Sequence, residues 1–180
     1  MSAKKLLTCG FVLSICAAAA PIMAQAPGDR PSPPAKADCR FADGKAIHVD
    51  YSSPRMRGRK IFGDLVPYGS EWRTGANEAT TFVINTDVTI GGKAVPAGSY
   101  TLFTLPKADS WQLIISKQTG EWGIPYPGAS SDFDRYPMKL SKLNSPLENM
   151  TIAFDAAGAV CTLNVEWETT KASIAITEKK

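Results

Sequence analysis

Alternation is what most constrains this chain. Apolar and polar residues exchange with a period of two at nine places, and no eleven-residue window carries helical periodicity. Ile47, Val49 and Tyr51 share one face of Ala46–Tyr51, with His48 and Asp50 on the other. Phe82 and Ile84 repeat the pattern. Val88–Ile90 and Ala94-Val95 flank Gly91-Gly92-Lys93, a hairpin signal. Pro96-Ala97-Gly98 turns the chain into Ser99–Leu105. Trp111, Leu113 and Ile115 point one way, which makes Trp111 a core residue. Tyr136, Met138 and Leu140 follow, with Pro137 marking an edge strand. Met150, Ile152 and Phe154 precede the turn Asp155–Gly158. Cys161, Leu163, Val165 and Trp167 then alternate with Thr162, Asn164 and Glu166, and Ile174 and Ile176 close the series. Short, regularly punctuated strands predict an all-β fold, a single β-sandwich of jelly-roll or immunoglobulin-like type. Helix is confined to a turn or two, near Arg59–Val66.

The ends lie outside this pattern. Residues 1–24 have the form of a secretory signal, with Lys4 and Lys5 before the apolar stretch Leu6–Ala20 and small residues at Ala24 and Ala26. Cleavage after Ala24 is expected. Residues 25–38 are Pro-rich and read as a disordered tether. Residues 39–178 then form one domain, about 140 residues, enough to bury a core. No other apolar run approaches the ~20 residues of a membrane helix. Of 20 Lys and Arg and 17 Asp and Glu residues, the leader removes two lysines. The near-neutral remainder, in an exported protein, does not suit nucleic acid. Export places the domain in the periplasm or outside the cell. There the two remaining cysteines, Cys39 and Cys161, read most simply as one disulfide, with a pair of unbridged thiols as the alternative.

The run Tyr68–Thr80 fits neither strand nor helix. It packs Trp72, Arg73, Asn77, Glu71 and Glu78 among glycines, and loops on a rigid scaffold are where binding and catalysis concentrate. Residues 118–134, punctuated by Gly120, Gly123, Pro125, Pro127 and Gly128, form a second irregular segment long enough to imply a role.

These segments also carry a resemblance. Tyr51-Ser52-Ser53-Pro54-Arg55, Gly58–Gly63, Leu65–Gly69, Trp72–Thr80, Pro96–Phe103 and Glu121-Trp122-Gly123, in this order, resemble the bacterial family catalogued as domain of unknown function 2911. The similarity runs from about Cys39 to Ile176. It implies a secreted, β-rich protein and transfers no activity or catalytic residue.

The chemistry must therefore be weighed residue by residue. The single histidine, His48, lies on the polar face of a strand, and no Gly-x-Ser-x-Gly elbow accompanies it. One histidine and two cysteines supply no zinc set, and no EF-hand pattern appears, so neither a metal nor another cofactor is expected. Glu71, Glu78, Asp64 and Asp132 could gather only if the fold converges them. Arg55, Arg57, Arg59 and Lys60 place four cations within six residues, suited to a phosphate or an acidic sugar, or to a solvated loop. Trp72 and Trp122 could form a stacking platform or plug the end of the domain. Two functions follow. One is a non-catalytic ligand-binding or interaction domain for a carbohydrate or small anion, using Arg55, Arg57, Arg59, Glu71, Trp72, Arg73, Asn77, Glu78 and Trp122. The other is a glycosidase-like hydrolase with Glu71 and Glu78 as its paired carboxylates. Three details complete the expectation: Arg73 is held by a carboxylate, Asn77 bonds backbone groups, and Trp122 is the more exposed loop tryptophan.

Overall fold

The computed structural model describes residues 30–179. The expected leader and the start of the Pro-rich segment lie outside them. Nine strands form one antiparallel sheet. They are β1 (Pro34–Arg40), β2 (Ala46–Ser52), β3 (Thr80–Ile84), β4 (Val88–Ile90), β5 (Lys93–Val95), β6 (Gly98–Pro106), β7 (Trp111–Ser116), β8 (Asp132–Ala157) and β9 (Val160–Glu178). Their order is β1-β2-β3-β6-β7-β8-β9-β4-β5. The all-β expectation holds.

The sheet curls back on itself. β1 and β9 stand six places apart in the order, about 29 Å if the sheet were flat. Yet the Cys39–Cys161 disulfide joins them with Cα atoms 6.1 Å apart. Consistent with this, Ile47, Phe82, Leu102 and Leu113 share one buried cluster with Leu163, Val165, Trp167 and Ile176 from the far side.

Three local readings are corrected. The tether expected to Asp38 gives way to β1, which pairs with β2 from Pro34↔Ser52 onward. Ala37 and Cys39 face inward while Lys36, Asp38 and Arg40 face out, and Pro34 is tolerated as the first residue of an edge strand. Arg59–Val66 is no helical turn. Val66 N donates to the Ile61 carbonyl at 2.9 Å and Gly63 N to that of Val66 at 2.9 Å, a tight turn that buries Ile61, Phe62 and Val66. The one helical element among the described residues is the 3-10 turn Ala129–Ser131. Finally, the segments around Met138 and Ile152 belong to one long strand. As far as Met138, β8 pairs with β7 alone, and from Lys139 it pairs with β9. Pro137 therefore does sit where the strand is locally an edge.

The outer face of β6 and β7 is also covered. Phe103 and Ile114 are buried there beside Leu105 and under Ala79 and Tyr126. The two irregular segments thus share one roof over the sheet.

Candidate functional site

The 69–80 loop is held by the place β3 vacates. β3 pairs with β6 only as far as Thr80↔Leu102. Beyond it, Trp72 and Thr104 exchange two backbone hydrogen bonds of 2.8 Å. Thr74 follows in the left-handed region at φ 52 and is fully buried. A β-branched residue there stores strain of about 1–3 kcal/mol, the kind that collects at functional loops. Its hydroxyl lies 3.2 Å from that of Thr104, and its carbonyl accepts from Thr80 Oγ1 at 2.9 Å. Trp72 Nε1 donates to the Gly75 carbonyl at 3.0 Å. A Cβ at Gly75 would stand 3.1 Å from the Ser52 carbonyl oxygen and from Thr80 Oγ1, so any larger residue would press on the β2 backbone. Asn77 is also left-handed, and its Nδ2 donates to the Ser32 carbonyl at 3.0 Å. It thus bonds the backbone, though of the N-terminal segment rather than of its own turn.

The loop forms one wall of a cavity of about 400 Å³. Trp72 is its floor, half-buried and stacked on Trp167 with centroids 6.0 Å apart and planes 22° apart. Glu71, Arg73, Arg59 and Ser32 contribute polar groups, and Leu65 and Ile124 form an exposed apolar rim. Trp122 is 54% exposed and outside the lining, the more exposed loop tryptophan as expected.

Arg73 departs from expectation. It forms no ion pair among the described residues. Its Nη1 instead donates to the Trp122 carbonyl at 3.0 Å, and its guanidinium lies 5.2 Å from the Trp122 ring centroid. The two loop carboxylates bond other arginines, Glu71 through one oxygen to Arg135 and Glu78 through both to Arg30. Partial burial lowers the Arg73 pKa, with Glu78 opposing from a distance.

Glu71 and Glu78 line different cavities. Glu71 Oε1 accepts from Arg135 Nη2 at 3.1 Å beside Trp72. Glu78 takes Arg30 through both oxygens at 2.9 Å and lines a separate hollow with Asp50 and Thr81. Its own backbone N–H, then Arg30, holds its carboxyl below the usual range. The arginine cluster also disperses. Arg55 Nη1 donates to Ser53, Arg57 N to Glu148 and Arg57 Nη2 to the Pro31 carbonyl, while Arg59 closes onto the Met56 and Arg55 carbonyls. Of the three, Arg59 alone lines the Trp72 cavity.

Arg135 ties the second loop to the first. Its Nε donates to Asp132 Oδ2 at 2.7 Å and its Nη2 to Tyr126 Oη at 3.1 Å, and the Tyr126 hydroxyl donates to Asp132. Burial, then Asp132, pushes Tyr126 up to about 12. Burial, then Asp134, does the same to Tyr136. An unfolded tyrosine ionises near pH 10. Between about pH 10 and 12 the folded chain therefore holds more protons than the unfolded one. Stability from these phenols is complete below pH 10 and falls as pH rises through that window. Burial also raises Tyr51 and Tyr100, so ultraviolet titration of the native protein should find at least two tyrosines still neutral at pH 11, and Tyr126→Phe should remove one of them. Normal titration of every tyrosine in the folded protein would contradict this.

Among the described residues no group of three or more His, Cys, Asp or Glu side chains gathers as a metal site, and no helix is long and apolar enough to cross a membrane.

A profile of the family described as Protein of unknown function (DUF2911) matches residues 32–176. The chain belongs to this family. No curated protein and no solved structure matches it. The DUF2911 match opens at Ser32, ahead of the expected domain start at Cys39, and so includes β1 and the segment that Asn77 holds. Sequence reasoning on this DUF2911 chain missed Ser32, absorbed into a presumed tether. It also missed Arg135, whose signal was an outward charge directly beside the inward-facing Tyr136.

Proposed function

We propose that this DUF2911 protein is an exported, non-catalytic binding domain, a β-sandwich whose Trp72 cavity takes a small anionic ligand with a flat apolar face. One observation carries the reading. Arg59 and Arg73 line a cavity floored by stacked indoles, and neither has a carboxylate partner among the described residues. An arginine left unneutralised beside an aromatic surface suits a ligand that brings its own anion. The volume falls in the range of small-molecule sites. Strained Thr74 and the neighbouring Asn77 hold the wall in place before any ligand arrives.

The hydrolase reading has less support. Glycoside hydrolysis needs two carboxyl groups facing one bond, whereas Glu71 and Glu78 border different cavities and each is held by an arginine. Export is supported by the leader-like residues 1–24 and by the buried disulfide, which persists in oxidising compartments.

A thermal-shift panel tests the proposal. Aryl carboxylates and sugar acids should raise the melting temperature, and their neutral amides and parent sugars should not. A ligand at one hundred times its Kd adds about 2.7 kcal/mol, well within detection. Equal shifts with neutral compounds, or none with the acids, would overturn the reading. Turnover of aryl glycosides that is lost in Glu71→Gln would establish the hydrolase instead.

A further inference from the structure

The Trp72 cavity has a negative side as well as a positive one. Glu71 lines it, with its side chain 27% exposed. Oε1 accepts from Arg135, and Oε2 accepts no hydrogen bond among the described residues. Nor does Arg135 fully neutralise this carboxylate. It makes its shorter bond, 2.7 Å, to Asp132, whose side chain is only 10% exposed. One guanidinium thus serves two carboxylates, and the more buried partner has the closer contact. The set of Arg135, Asp132 and Glu71 keeps one net negative charge, and Glu71 keeps one unused acceptor while its other oxygen is pinned. Arg73 and Arg59 border the same space. The consecutive residues Glu71, Trp72 and Arg73 therefore offer an acceptor, a flat surface and a donor to one occupant.

We infer that the cavity selects a zwitterion, an aromatic amino acid or a molecule of that design. Its ammonium engages Glu71 Oε2, its carboxylate Arg73 or Arg59, and its ring Trp72. This rests on the anionic-ligand reading above and narrows it. A purely anionic ligand would bring no donor to Glu71 and would lie against its charge. A charge-assisted hydrogen bond at a partly buried carboxylate discriminates by about tenfold or more.

Calorimetric titration with three probes tests this: phenylalanine, 3-phenylpropanoate, which lacks the ammonium, and phenethylamine, which lacks the carboxylate. Phenylalanine should bind the mature chain at least about tenfold more tightly than either. In Glu71→Gln the amide oxygen can still accept from Arg135, so the melting temperature should hold. There phenylalanine should fall to the level of 3-phenylpropanoate, whose own affinity should be kept or improved. Equal binding of the two acids by the wild type, which needs no variant, would overturn the inference and leave the anionic-ligand reading standing. So would a preference for phenylalanine that survives Glu71→Gln. Failure of both acids to bind would overturn the two together.

Discussion

Trp167→Ala should cost about 3–5 kcal/mol of stability and remove ligand binding with it. Trp167 is 1% exposed and lies in β9, in a buried aromatic cluster. It stacks under Trp72 and meets the edge of Phe62 at 6.2 Å, while its Nε1 donates to the Glu148 carbonyl at 3.2 Å. Truncation leaves a void that the sheet cannot collapse into, strands that carbonyl, and takes away the support of the cavity floor. Urea unfolding should show the midpoint falling with an unchanged slope. Trp167→Phe should lose less. A stability change under about 1 kcal/mol for Trp167→Ala would mean that the aromatic cluster does not join core to site.

Loss of the disulfide is the second large effect. Cys39 and Cys161 are separated by 122 residues in sequence, for which the chain-entropy model gives about 4–5 kcal/mol. The bond joins the edge strand β1 to β9 across the curl of the sheet. Without it, β1 retains its β2 ladder but loses its covalent tie to the opposite side. The double variant Cys39→Ala/Cys161→Ala should unfold at markedly lower denaturant, with the native spectrum preserved. Two reactive thiols in the native oxidised protein would contradict the bridge, as would a double variant of unchanged stability.

Strand positions were legible because burial imposes a period of two on every half-covered strand. Phe82 and Ile84, Leu113 and Ile115, and Leu163 and Val165 all fall on the buried face their spacing assigns. β1 escaped notice because Pro34 closes the proline-rich run of Pro27, Pro31 and Pro33, which reads as a tether, although Ala37 and Cys39 alternate with Lys36 and Asp38. The curl of the sheet was legible only through the cysteines, since alternation fixes which face is buried and not which strands are neighbours. At the site, the composition of the 69–80 loop located the cavity, and Glu71, Trp72 and Arg73 all line it. Its electrostatics were not legible. Which carboxylate pairs with which arginine depends on contacts such as Arg135–Glu71 and Arg30–Glu78, made across long stretches of chain. Arg73 was therefore expected to be paired, and the structure gives it a carbonyl and a ring instead.

That unpaired guanidinium is the centre of the functional account, and Arg73→Ala tests it. The side chain has no carboxylate to leave behind among the described residues, and its bond to the Trp122 carbonyl is exposed enough for water to replace it, so the melting temperature should stay close to that of the wild type. Calorimetric titration with 3-phenylpropanoate, the simplest anion with a flat apolar face, is the decisive measurement. The mature chain should bind it with a stoichiometry of about one, and Arg73→Ala should weaken binding by about tenfold or more. Equal affinity in the two proteins, or no binding by the wild type, would contradict the account.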